Sequence, residues 1–372
     1  KIIKLNDKIE ILKKSKLRED QKIFFYIKDC KKLGTLPFAG TARLAFVSTK
    51  LLRSLVTMQI LTEKDLEEFY QSIPTITKQM KLSYSNLRNK KDIDNFLKKY
   101  GHLRPSTYSI SSKNYKENFK EYFNKKNNPD KNIIRKKLSL SKGKEIQINK
   151  LLKKHGLKIN CKRFLDFASK SISLREYTKL IFSKSINQIF HNLIKLSKEI
   201  KISRRDLEYI SIKNFITHYS GVNVEKLKTS LNEEIKKNKR NEKFLNLIEF
   251  PEFISDEKDI CNFEQKTKKG NFITNKIVEA EIIRLEKIKD YSNLNNKIVL
   301  IKNADPGYDF IFSYKIKGLI TEYGGANSHM SIRCLELGIP AIIGIGKRDY
   351  NLLSRKNFIT INSKQKYYRI VR

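Results

Sequence analysis

The chain has no apolar run approaching the roughly 18 residues that a membrane-spanning helix needs, and no segment ordered like a secretory signal. Its four cysteines, Cys30, Cys161, Cys261 and Cys334, are scattered over 372 residues without metal-ligand spacing. With five histidines equally dispersed they form no zinc pattern, and they read as reduced thiols of a cytoplasmic protein. No Gly-rich phosphate loop with a following Lys is present, and no acidic pair is spaced to hold magnesium. Acidic residues are scarce: 39 Asp and Glu stand against 78 Lys and Arg, a formal charge of +39. Such an excess ordinarily points to nucleic acid or an anionic surface. Here the lysines run through every segment beside abundant Asn and Ile, as in a gene biased toward A and T codons. No aromatic–basic platform stands out. Nucleic acid and membrane are therefore not expected as partners, and a basic nucleic-acid-binding protein stands as an alternative class. The milder consequence is a positive potential that favours nucleotides and phosphorylated ligands.

What the chain does contain is concentrated in Gly318–Gly346. Gly324 and Gly325 lack Cβ, so the backbone can turn tightly and approach a ligand. Ser328 falls where a helix N-cap belongs, and the residues after it have helical spacing. The first turn of a helix offers free N–H groups and partial positive charge, which suit a phosphate. His329 stands there, with an ordinary pKa of about 6.5 that leaves much of it neutral and nucleophilic. Attack on phosphorus would give a phosphohistidine and divide one hard transfer into two easier ones. A lone histidine at a helix start is more often structural; the gapless combination argues otherwise. After the helix come Gly338-Ile339-Pro340 and a buried-looking strand, Ala341–Gly344. Lys297–Lys302 and Phe358–Ile361 also read as strands rich in β-branched residues. Asp305-Pro306-Gly307-Tyr308 reads as a turn with Pro at its second position. Strand, turn, strand, helix, strand in about a hundred residues argues a compact α/β unit.

These residues resemble the phosphohistidine, or swivelling, domain of the phosphoenolpyruvate-utilising enzymes, whose pattern runs T-E-x-G-G-x-x-S-H and then E-L-G-I-P. Thr321-Glu322, Gly324-Gly325, Ser328-His329 and Glu336–Pro340 match it in register. The resemblance extends to Asn271–Thr274, to Lys276–Leu285 and to the Asp305–Tyr308 turn. It implies that His329 is the phosphorylated residue. It also implies that Thr321, Glu322, Gly324, Gly325 and Ser328 orient or cradle the phosphoryl group, a simple turn role being equally open to them. Members often carry Ala-Arg before Glu-Leu-Gly, where this chain has Cys334-Leu335, with Arg333 earlier as the candidate phosphate contact.

A second segment, Tyr100–Tyr108, resembles the Y-G-H-L-R-P-G-T-Y-D-I stretch of glutamine-kinase-like members, with Ser106 for Gly and Ser109 for Asp. His102 and Arg104 could hold a carboxylate or phosphate there, or the segment could be a polar turn between helices. The resemblance makes Tyr100, His102 and Arg104 acceptor-binding candidates. Gly40–Arg43 resembles the entry to the acceptor helices and adds Arg43. The stretch before residue 250 otherwise reads as helical. Leu174, Tyr177, Leu180, Ile181, Ile189, Phe190, Leu193 and Leu196 form one apolar face, and Arg175-Glu176-Tyr177 reads as a solvated face with one core aromatic. Thr41–Met58, Lys81–Tyr100 and Tyr115–Asn127 are further helical stretches, and Lys125–Lys144 reads as an exposed loop or weak helix.

The expected fold is α+β and multidomain. A mostly helical acceptor region, 1–250, leads through a linker, 251–269, to a swivelling β/β/α phosphohistidine domain, 270–372. A hydrophobic content of 39% suffices for such cores. Family members place an ATP-grasp nucleotide domain before the acceptor region, in the same protein or a separate chain. ATP and Mg2+ are expected there, and this chain alone is expected to bind neither. The resemblance implies a phosphotransferase in which His329 passes a phosphoryl group from ATP to a small acceptor, L-glutamine first and pyruvate or phosphoenolpyruvate second. No metal site is expected in the chain itself. A non-catalytic relic of the fold is a further class, against which the intact His329 speaks.

Overall fold

The computed structural model describes residues 1–123, 140–217, 224–245, 254, 256–261, 270–287, 290–326 and 328–371. Helices fill the first two thirds: α1 (Ile2–Lys14), α2 (Glu19–Asp29), α3 (Leu36–Thr57), α4 (Glu63–Ser72), α5 (Ile76–Ser85), α6 (Lys90–Tyr100), α7 (Phe119–Tyr122), α8 (Lys142–Lys154), α9 (Cys161–Glu199), α10 (Asn214–Thr217), α11 (Val224–Leu245) and α12 (Lys258–Cys261). Side-chain caps fix several starts. Thr62 and Asp65 satisfy each other's backbone N–H groups at α4, as Asn89 and Asp92 do at α6, and Asn160 caps α9. α9 runs 39 residues and forms the spine against which α1, α2 and α3 pack.

The rest carries β1 (Asn271–Ile273), β2 (Ile277–Arg284), β3 (Ile298–Asn303), β4 (Gly318–Tyr323), α13 (His329–Leu337), β5 (Ala341–Ile343), α14 (Lys347–Leu353), β6 (Phe358–Asn362) and β7 (Tyr367–Ile370). The strands form one sheet in the order β1-β5-β4-β3-β2-β6-β7. β2, β3, β4 and β5 run parallel, while β1, β6 and β7 pair antiparallel at the two ends. Both faces of the middle of the sheet are covered, so Ile298–Ile301, Leu319–Ile320 and Ala341–Ile343 are apolar at successive positions rather than alternately. Val299, Ile301, Leu319 and Ile343 face one core, which includes Tyr115, Tyr122 and Phe310. Ile298, Leu300, Ile320 and Ile342 face the other, closed by Tyr350, Leu353, Ile359 and Ile361.

The helical part followed by a sheet agrees with an α+β chain, and the strands expected at 271–274, 276–285, 297–302, 341–344 and 358–361 are present within a residue or two. Several details differ. Asp305–Tyr308 is no isolated turn: Asp305 caps a 3-10 helix over Pro306–Ser313 by accepting from the N–H of Gly307. The long stretch 81–100 is two helices broken at 86–89, and α3 begins at Leu36 behind a π-helical turn, Cys30–Thr35. On α9, Leu174 and Tyr177 are exposed, whereas Glu176 is buried. The loop expected at Lys125–Lys144 lies mostly outside the described residues, and so does most of the 251–269 linker, α12 excepted.

The two parts are joined closely. Tyr115 donates its hydroxyl to the Gly307 carbonyl (2.9 Å) and accepts from the Phe310 N–H (3.2 Å). Tyr314 donates to the Tyr122 carbonyl (2.9 Å), and the Thr107 hydroxyl donates to Asp305 (2.6 Å). The rings of Tyr115 and Tyr122 lie 6.2 and 4.9 Å from that of Phe310. Gly307 is required at this seam, because a Cβ there would lie 1.4 Å from the Arg104 carbonyl oxygen.

Candidate active site around His329

β4 delivers the site. Thr321, fully buried, accepts the Gly344 N–H on its hydroxyl (2.9 Å) and so ties β4 to the loop after β5. Glu322 is buried at the end of the strand, and its carbonyl accepts the Gly346 N–H. Gly324 follows with φ +140°, and a Cβ would sit 2.6 Å from that of Ala304, so the crossing of the two loops needs glycine. Gly325 faces open space. Ser328 caps α13 as expected, its hydroxyl accepting the Ser331 N–H (3.3 Å), and His329 is the first residue of the helix.

His329 Nε2 lies 2.7 Å from Asp309 Oδ1. Asp309 projects from the 3-10 helix, and its other oxygen accepts the hydroxyl proton of Thr77, on α5 of the helical part. Arg333, one turn along α13 and 1% exposed, places Nε 3.3 Å from His329 Nε2 and 3.7 Å from Asp309. Its other nitrogens pair with Glu176 of α9 (2.7 Å) and Glu336 of α13 (2.5 Å). Glu176 also accepts the Ile76 N–H (3.0 Å). One buried guanidinium is thus shared by three carboxylates from three elements, and it bridges the helical part and the sheet part.

Protonation follows from these contacts. Burial works against ionising Asp309, but the charges of His329 and Arg333 and two hydrogen bonds hold its carboxyl below the usual range. Burial lowers the pKa of His329, with Asp309 opposing it and Arg333 adding to it. A neutral imidazole beside an ionised Asp309 donates Nε2–H to it, so Nδ1 carries the lone pair. Burial pushes Glu336 up to about 7, with Arg333 opposing. Arg333 goes the other way: burial is outweighed by Glu176, Glu336 and Asp309, and it stays charged.

The structure brings Thr321, Glu322, Gly324, Gly325, Ser328, His329 and Arg333 together on one loop and helix start. The candidates around Tyr100 have partners within the fold. Tyr100 is fully buried among the aromatic rings of α6. His102 Nε2 meets the Leu180 carbonyl (3.0 Å), and burial pushes its pKa down to about 3. Arg104 donates to the carbonyl of Ser112 (3.1 Å) and to Asn187 (2.5 Å) and lies over the Phe190 ring. They brace the loop that follows α6. Arg43 is exposed on α3. Sequence reasoning missed Asp309, Thr77, Glu176 and the ionic role of Glu336. Glu176, read as part of a solvated face, is 6% exposed and anchors Arg333.

Residues 294–366, which hold the Gly-Gly loop and the helix-initial histidine, match the family described as PEP-utilising enzyme, mobile domain. Among curated relatives, it is 29% identical over 221 residues to phosphoenolpyruvate-protein phosphotransferase of Buchnera aphidicola subsp. Schizaphis graminum, an alignment covering 46% of this chain and 38% of that protein. It is 22% identical over 264 residues to rifampicin phosphotransferase of Bacillus cereus, covering 66% of this chain and 27% of the relative. The matched regions are thus well under half of either relative's length, and both relatives are phosphotransferases by name.

Proposed function

We propose that His329 carries a phosphoryl group between a donor site and a small-molecule acceptor held by the helical part. The observation that carries the proposal is the Asp309–His329–Arg333 arrangement at the start of α13. A carboxylate fixes the imidazole tautomer with Nδ1 left to attack, and a permanently charged guanidinium beside Nε2 holds that carboxylate ionised. An imidazole nitrogen attacks phosphorus as the bond to the leaving group breaks. The acceptor's nucleophile then attacks phosphorus, and the P–N electron pair returns to the ring. With ATP as donor, attack on the β-phosphorus expels AMP and water then cleaves off the terminal phosphate, so that the β-phosphoryl group stays on the ring; a nucleotide-binding domain with Mg2+ would hold the nucleotide for this step. The linker at 251–269 serves as the pivot between the two sites.

The acceptor in this reading is glutamine-like, supported by the Tyr100–Tyr108 segment packed against the sheet part. The second reading is transfer involving pyruvate or phosphoenolpyruvate, favoured by the name of the Buchnera relative. The test combines the chain with a nucleotide-binding domain of its class and ATP labelled at the β-phosphate, and with labelled phosphoenolpyruvate in parallel. An acid-labile, base-stable label is expected on the chain and is expected to vanish in His329→Ala. Equal labelling of the variant would falsify the carrier role, and the donor that labels the chain separates the two readings.

A further inference from the structure

Between the helical part and the sheet part lies a cavity of about 900 Å³. Its lining joins Tyr108 of the loop after α6, Lys179 and Phe190 of α9, and Ser328, the residue before His329. Lys179 stands three residues beyond Glu176, about 4.5 Å along the helix axis, and Glu176 holds Arg333. The cavity therefore adjoins the His329 network, on the side where the helical part would present an acceptor.

The charges around it are unequal in what they have left to bind. Asp305 is saturated by the N–H and hydroxyl of Thr107 and the N–H of Gly307 (3.2, 2.6 and 2.7 Å). Glu208 accepts the Ser109 hydroxyl (2.9 Å) at the exposed rim. Lys179 is the single cationic side chain of the described lining. Its ammonium lies 5.5 Å from the centre of the Phe38 ring and 5.6 Å from that of Tyr108, and within the described residues it joins no ion pair. Burial lowers its pKa, with Asp305 opposing. A partly desolvated cation that feels Asp305 but joins it in no ion pair, in a concavity with apolar walls, is a site for an organic anion.

We propose that this cavity is the acceptor site, that its ligand is a small organic acid, and that Lys179 takes the carboxylate. The inference rests on the reading of His329 as carrier, to which it adds the cavity that holds the acceptor and the residue that takes its carboxylate. A group held on Lys179 leaves the rest of the acid directed toward the Ser328–His329 corner.

The experiment is titration calorimetry on the full, unphosphorylated chain with L-glutamine and pyruvate, each compared with the amide that replaces its carboxylate, L-glutamine α-amide and pyruvamide. At least one acid is expected to bind, about tenfold or more tightly than its amide, the size of one charge-assisted hydrogen bond. Lys179→Met is expected to bring the acid down to the level of the amide, and Lys179→Arg to keep most of the affinity. The proposal is overturned if acid and amide bind alike, if neither acid binds, or if Lys179→Met binds the acid as the wild type does. Should Lys179→Met fail to fold by circular dichroism, the acid–amide comparison on the wild type and the Arg variant decide. Failure of the carrier reading would show elsewhere, as no label on His329, and would leave these titrations unchanged.

Discussion

Replacing Arg333 by Met removes the one cation that three buried carboxylates share, and the cost can be worked from the contacts. Deleting one member of a buried ion pair costs about 3–5 kcal/mol. A stranded carboxylate limits that loss by taking up a proton, at about 1.36 kcal/mol per pH unit above its ordinary pKa near 4.3, or about 3.7 kcal/mol at pH 7. Glu336, already pushed to about 7, adds little. Glu176, 2.7 Å from the guanidinium, dominates. In the variant the folded pKa of Glu176 rises above its unfolded value. The associated stability is therefore present below about pH 4 and is lost as pH climbs toward the raised pKa. The penalty is expected to be about 3–5 kcal/mol at pH 7 and about 1 kcal/mol at pH 5, where protonation is cheap. With an unfolding entropy of about 2.1 cal/mol/K per residue, 372 residues melting together would show about 4–6 °C lost at pH 7 and about 1–2 °C at pH 5. Thermal unfolding by circular dichroism at the two pH values measures both. An equal loss at pH 5 and pH 7, or a loss under about 1 °C at pH 7, would refute the shared-cation account.

Two further outcomes follow from the same corner of the molecule. Asp309→Asn removes the charge that raises the pKa of His329 against burial, so the imidazole is expected to stay neutral to more acid pH in an NMR titration; an upward shift would contradict the arrangement. Gly324→Ala imposes a Cβ at φ +140° and 2.6 Å from Ala304, with an expected cost of about 1–3 kcal/mol in denaturant unfolding, and a variant as stable as the wild type would show that the loop does not need glycine.

Much of the sheet was legible because its strands are short, β-branched and separated by Gly and Pro. Ile298–Ile301 and Ala341–Ile343 are apolar at successive positions, as strands covered on both faces must be. His329 was legible for a local reason: the Gly-Gly loop, the Ser cap and the helix lie within a dozen residues. Its partners were not, since their contacts are long-range. Glu176 meets Arg333 across 157 positions of the chain, and Thr77 meets Asp309 across 232. The signals were faint but present. Asp309 is the lone charge inside the apolar run Tyr308–Phe312, and Glu176 sits four residues from both Ile172 and Leu180, on their buried stripe rather than opposite it. A charge placed where packing calls for carbon is the mark of an ion pair yet to be found.

The seam between residues 106–122 and 305–314 bears on how a carrier could travel. Phe310 is locked against Tyr115 and Tyr122 by ring contacts, and the hydrogen bonds of Tyr115, Tyr314 and Thr107 cross the same line. A sheet part that swung away alone would have to peel those rings into water, at roughly 25 cal/mol for every Å² of apolar surface uncovered. A moving body that takes the 106–122 stretch along keeps that seam but parts Phe119 from Phe96 (6.0 Å between rings), the Glu176–Arg333 ion pair and the Thr77–Asp309 hydrogen bond. Such a body is made of two separate lengths of chain. It would cross to the helical part three times, before residue 106, after residue 122 and at the pivot proposed over 251–269, which confines the swing to rotations that all three crossings can follow.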